Sequence, residues 1–171
     1  GMRLSLLPFP SATAALPPKD VLPTRIGFLG GLRKEQGLKS LQEFVNITLS
    51  HGFKALIQDS GNKLVYPPHP SVEIFGRVEK METLFPECAG IVLNYSPHFY
   101  GRMGSGLVWE SILHGTPVLY SRNTLAAGHA AEFGVGLAFD YGDPTSFSTA
   151  LAQFRKKLAD FRLISRKAAM L

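Results

Sequence analysis

Short apolar runs, each closed by glycine, proline or a polar residue, take turns along this chain with segments of helical period, and few folds satisfy that alternation. RIGFLGG (25–31), FKALIQ (53–58), VEIFG (72–76), GIVLNY (90–95), PVLYS (117–121) and VGLAFD (135–140) read as six strands. Between them Leu41, Phe44, Val45 and Leu49 recur at helical spacing until His51-Gly52 stops the helix. A short helix is expected around Lys80 to Phe85, another over 107–113, and a small alanine-rich one over 124–133. LVYPPHPS (64–71) reads as loop. Asp143-Pro144 starts a long last helix, the aspartate as cap and the proline in the first turn. Phe147, Leu151, Phe154, Leu158 and Phe161 then form one apolar stripe along it. Strands alternating with helices close as a parallel sheet covered on both faces. The expected fold class is therefore α/β, a Rossmann-like doubly wound parallel sheet of about six strands.

At 171 residues, 45% hydrophobic and 18% charged, the chain suits one globular domain with a real core. Five prolines between residues 3 and 24 mark residues 1–24 as an extended linker, which leaves 25–171 as the domain. The net charge of +5 favours anionic partners. No basic stripe interleaved with aromatics is present, so nucleic acid is not an expected partner. The single cysteine, Cys88, sits in an apolar context and fits a buried thiol in a reducing, cytoplasmic setting. No apolar run approaches the length of a membrane span.

Chemistry concentrates in residues 100–118, YGRMGSGLVWESILHGTPV. A flexible turn, Gly104-Ser105-Gly106, feeds a helix, which brings unpaired backbone N–H groups and the positive end of the helix dipole to one point. Such a point binds anions, phosphate above all. Arg102 precedes the turn, and Glu110 lies one helical turn beyond Gly106. A guanidinium takes phosphate oxygens bidentately, while a carboxylate accepts hydrogen bonds from vicinal hydroxyls. Together these groups read as a diphosphate-and-ribose site. On spacing alone, glycines before a helix are equally a packing device, and Glu110 equally a solvated face residue. In parallel sheets ligands sit beyond the carboxyl ends of the strands, near a topological switch point. Gly30-Gly31, Gly76-Arg77, Tyr95-Ser96 and the 101–106 turn are expected to gather there.

The order GFLGGLRKEQG, EIFGRV, VLNYSP, GLVWESILHGTPVL and GVGLAFDYGDP resembles the carboxyl-terminal, donor-binding domain of GT-B-fold, group 1 glycosyltransferases, over roughly residues 25–160. The most specific piece is a glutamate followed five residues later by Gly-Thr-Pro, here Glu110 and Gly115-Thr116-Pro117. The resemblance implies that Glu110 holds the ribose of a sugar nucleotide and that Gly104, Ser105 and Gly106 take the diphosphate through backbone amides. It implies a UDP-sugar or GDP-sugar donor. Gly30, Gly31, Arg77, Tyr95 and Ser96 are expected to contribute to its binding because they follow strands on the same edge, with Arg33 and Lys34 from the first loop. Arg102 and Glu110 are the expected catalytic pair. Two departures stand out. Arg102 occupies the position where the family has a second glutamate, and Gly31 and Gln36 occupy positions where it has an arginine and a lysine for phosphate. Arg33 and Lys34 are the substitutes within reach in that loop. The resemblance covers one of the two domains such enzymes have, so an amino-terminal acceptor domain is an implied missing partner. A cytoplasmic role in polysaccharide biosynthesis is likewise implied. A module that kept the fold and lost the chemistry fits the same departures.

The histidines show no metal-ligand spacing with one another or with Cys88, so no metal is expected. His98 could approach the donor sugar, and Trp109 is assigned to core packing. Arg155, Lys156, Lys157, Arg162, Arg166 and Lys167 give the last helix a basic side. That side reads as a solvated face, with peripheral contact to anionic lipid as the other reading.

Overall fold

The computed structural model describes residues 22–33 and 37–171. Lys34, Gln36 and nearly all of the expected linker lie outside the described residues. Six strands form one sheet: β1 (Arg25–Phe28), β2 (Lys54–Gln58), β3 (Val72–Phe75), β4 (Cys88–Leu93), β5 (Val118–Ser121) and β6 (Gly136–Phe139). Every pairing is parallel and the order is β3-β2-β1-β4-β5-β6. This is the doubly wound, Rossmann-like arrangement, whose switch point falls between β1 and β4 because the connections leave those neighbours in opposite directions.

Side chains of the central strands divide between two buried clusters. Ile26, Ala55, Ile57, Val92 and Leu119 face one side, where α1 (Leu41–Ser50) and α5 (Pro144–Lys156) pack together. Leu56, Ile91, Leu93, Val118 and Tyr120 face the other, covered by α3 (Gly106–Leu113), α4 (Leu125–Phe133) and α6 (Leu158–Ala168). Burial on both faces is why these strands are nearly continuous apolar runs in the sequence. Phe44 stacks on Phe147 at 4.2 Å between ring centres and meets Phe139 edge-on at 5.7 Å, which locks α1 and α5 to the far strand.

Three local expectations change. The helix expected around Lys80 to Phe85 is a single 3₁₀ turn, Met81–Thr83. Pro97–Tyr100 forms a short helix, α2, with Pro97 in its first turn, in a connection for which the sequence pattern suggests no helix.

The long last helix is two. The chain leaves helical geometry at Lys157 (φ −107°, ψ 13°), whose N–H closes α5 on the carbonyls of Gln153 and Phe154. The apolar stripe runs straight through the break, so periodicity alone cannot show it. The bend lets the chain serve both faces of the sheet: α5 packs on α1, and α6 packs on α3 and α4. In consequence Arg162, expected on a solvated basic face, is only 4% exposed and donates a hydrogen bond to the Cys88 carbonyl at 2.7 Å. Burial, with Arg166 as a like-charged neighbour, lowers the Arg162 pKa to about 10.

Candidate functional site

A cleft of about 470 Å³ opens at the carboxyl ends of β1 and β4, where the sheet order reverses. Gly30 borders it after β1, Tyr95 after β4, and Gly104, Ser105, Gly106 and Glu110 along α3. Met81, Glu82 and Phe85 form a further wall from the connection before β4.

The start of α3 leaves its first amides open. Ser105 occupies the cap position, yet its side chain makes no capping hydrogen bond. Its hydroxyl pairs instead with the Tyr95 phenol at 2.9 Å, and both groups are buried. No acidic side chain stands in the first turn to compensate the dipole. A Cβ placed on Gly104 or Gly106 would meet no atom within 4 Å, so bare backbone borders free space. Uncapped N–H groups, a positive dipole end and room in front of them are the features that an anion site requires.

Tyr95 is held from several sides. Its ring stacks on Tyr100 at 4.3 Å. Its backbone N–H donates to the Ser121 hydroxyl at 2.8 Å, and that hydroxyl donates to the Tyr95 carbonyl at 2.7 Å. Burial pushes the phenol up to about 12 against the opposing effect of the Ser105 hydrogen bond. The phenol stays neutral near pH 7, which fits a partner that fixes Ser105 rather than a base.

Glu110 sits one turn down α3, about 6 Å along the axis from Gly106. Its carboxylate is half-exposed and lies 3.6 Å from Nε2 of His114, one turn further on. The His114 ring in turn stacks on Phe85 at 5.5 Å between ring centres. A helix dipole at one end and a carboxylate one turn below suit a ligand with phosphate at one end and a diol beyond it.

The other expected residues divide. Gly31 lines a much smaller cavity next door, which shares Tyr95 with the cleft. Ser96 is buried at the start of α2, where its carbonyl accepts from the N–H groups of Phe99 and Tyr100. Arg33, Arg77 and Arg102 are exposed and do not line the cleft. Lys34 falls outside the described residues. His98 is exposed against Phe99, and Trp109 is half-buried against His129 and Phe133 of α4. Among the described residues no group of three or more His, Cys, Asp or Glu side chains stands together as a metal site.

Two polar residues escaped sequence reading and organise the site. Gln58, at the end of β2, accepts the Gly30 N–H at 2.8 Å and so fixes the first loop. Asn94, directly after β4, donates to the Ser40 hydroxyl at 3.0 Å and accepts from the Gly142 N–H at 3.0 Å. It thereby ties the start of α1 to the loop after β6. Gly37, at φ +77°, backs against it so closely that a Cβ would lie 2.1 Å from Asn94 Nδ2. The one sequence signal was a polar residue directly after the most apolar strand.

No family model matches the chain, and no curated protein does. Solved structures do. The catalytic domain of starch synthase IV from Arabidopsis thaliana, bound to ADP and acarbose, superposes with a TM-score of 0.70 at 11% identity, over 89% of this chain and 35% of that one. The fold is shared with glycosyltransferases. Sucrose-phosphate synthase from Thermosynechococcus elongatus also gives 0.70, at 16% identity over 90% of this chain and 41% of that one. Anabaena HepE, in complex with UDP, gives 0.66 at 12% identity over 87% and 43%. The present chain thus spans well under half the length of each of these proteins, and at such identities the likeness establishes the fold.

Proposed function

We propose that this chain is the donor-binding half of a glycosyltransferase that moves a sugar from a nucleoside diphosphate sugar to an acceptor. The observation that carries the reading is the uncapped amino end of α3 opening on the switch-point cleft, with Glu110 one turn below it. The fold's likeness to structures that hold ADP and UDP supports it. In this scheme the diphosphate rests on the amides of the Gly104–Gly106 turn, and the Glu110 carboxylate accepts hydrogen bonds from the ribose hydroxyls. As the bond between the anomeric carbon and the diphosphate oxygen breaks, negative charge grows on the leaving nucleotide. The amides and the dipole of α3 stabilise that charge in place, which is the largest kind of contribution a fixed polar site makes. Arg102, exposed beside the turn, adds positive charge from the rim. These groups do the neutralising, so the scheme needs no metal. The acceptor is held by the portion of such enzymes that this chain does not span, and work at an anionic membrane surface would rest on the exposed Arg155, Lys156 and Lys157 at the end of α5.

The placement of Arg102 favours a second reading, a nucleotide-binding module without transfer chemistry. Where the family resemblance leads one to expect a second glutamate facing the sugar, an exposed arginine stands outside the cleft lining.

Calorimetric titration with nucleoside mono- and diphosphates tests the site. Glu110→Ala should weaken both ligands by similar factors, because both keep the ribose diol. Arg102→Ala should spare the monophosphate and weaken the diphosphate. The Glu110→Ala loss should be on the order of tenfold to hundredfold, the worth of one charge-assisted hydrogen bond, and the Arg102→Ala loss, from an exposed rim charge, at most about fivefold. If no nucleoside diphosphate binds, the reading fails.

A further inference from the structure

Among the described residues that line the cleft there are two carboxylates, Glu110 and Glu82, and no lysine or arginine. Glu110 has His114 as neighbour. Glu82, half-buried in the turn Met81–Thr83, has no hydrogen bond or ion pair among the described residues. An unpaired carboxylate repels phosphate, so the part of a nucleotide that settles beside it must present hydrogen-bond donors. Its position agrees. The wall carrying Glu82 is fastened to the far end of α3, because Phe85 stacks on His114 and accepts the Thr116 hydroxyl at 2.7 Å through its carbonyl. The phosphate cradle is at the opposite end of that helix. A nucleotide laid along α3 with phosphates at Gly106 and ribose at Glu110 therefore brings its base toward Met81, Glu82 and Phe85.

We propose that Glu82 is the base-reading residue of this cleft and that it selects guanine. The proposal rests on the reading of the cleft as a nucleoside diphosphate site. An ionised carboxylate only accepts hydrogen bonds. Guanine presents N1–H and the N2 amino group side by side, so both carboxylate oxygens find a donor in a bidentate pair. Uracil and thymine offer one N–H flanked by two carbonyl oxygens that the carboxylate repels. Adenine and cytosine offer an amino group beside a bare acceptor nitrogen. Met81, which is part-exposed at the cleft wall, supplies apolar contact for the flat face of the base. The chemical class of donor is accordingly a guanosine diphosphate sugar.

The experiment is titration of the parent and Glu82→Gln with GDP, IDP, UDP and ADP at one ionic strength, with thermal melts of both proteins as the folding control. The parent should bind GDP about tenfold or more tighter than UDP and ADP, and IDP, which lacks the N2 amino group, should fall between. Glu82→Gln should weaken GDP by about tenfold to hundredfold while changing UDP and ADP by less than about threefold. If the parent binds diphosphates without preferring GDP, or if Glu82→Gln weakens all four alike, base selection by Glu82 is wrong and the cleft reading stands. If none of the four binds, both are wrong. Should Glu82→Gln fail to fold, the comparison of GDP, IDP and UDP on the parent decides alone.

Discussion

Replacing Gly106 by valine separates the demands of the fold from those of the ligand. Gly106 is the first residue of α3, and its φ is outside the left-handed region. A Cβ built there touches nothing within 4 Å, so the folded chain has room for the branch. Glycine and valine differ by only a few tenths of a kcal/mol in helix propensity, which moves the melting point by roughly 1–2 °C in a chain of this size. The free space is nevertheless the cleft itself, and an isopropyl group in front of the amides keeps an anion from hydrogen-bond distance. Losing one charge-assisted hydrogen bond costs about 1.5–3 kcal/mol, or roughly tenfold to hundredfold in Kd. Isothermal titration with a nucleoside diphosphate, beside melts followed by circular dichroism, measures both quantities. Gly128→Ala serves as control: it is an exposed helical position whose Cβ is also unobstructed, away from the cleft lining. It should gain about 0.5–1 kcal/mol of stability and bind like the parent. A Gly106→Val protein that melts and binds like the parent would refute the anion cradle.

Two further outcomes concern the frame that holds the site. Gly136→Ala should lower the melting point by roughly 10 °C or more, because its Cβ would lie 1.7 Å from the Val118 carbonyl oxygen and force β5 and β6 apart, a cost of several kcal/mol; an unchanged melt would mean that the strands are not paired in this register. Asp59 is buried, which alone would raise its pKa, yet backbone N–H donors from Leu64 and Lys63 hold it below the ordinary value. The stabilisation this carries is present above the unfolded value of about 3.9 and is lost as pH falls through the lower folded value. Asp59→Asn should therefore melt below the parent at pH 7, with the gap closing in melts below about pH 4; a gap independent of pH would show that the charge is not what matters.

Much of this protein is local enough to be legible in residues alone. Six apolar runs with helical segments between them admit a two-faced parallel sheet, because strands with no polar side have to be covered twice. The glycine-rich turn and Glu110 share one short helix, so their spacing of one turn follows from helix geometry and needs no tertiary information. What the sequence could not decide is where chain segments far apart meet. The stripe from Phe147 to Phe161 is periodic across Lys157, and the break appears only because α6 has to reach the opposite face of the sheet. That same crossing buries Arg162, whose composition and neighbours point to solvent. Asn94 and Gln58 look like ordinary polar residues until the loops they fasten, from positions 28 to 54 residues away, are brought beside them. Glu82 and Glu110 are 28 residues apart in the chain and line one cleft only in the fold. Local pattern determined the elements, because hydrogen bonding and side-chain period act over a few residues. The tertiary structure decided which side chains share the cleft, because that depends on strand order and on connections that no local pattern encodes.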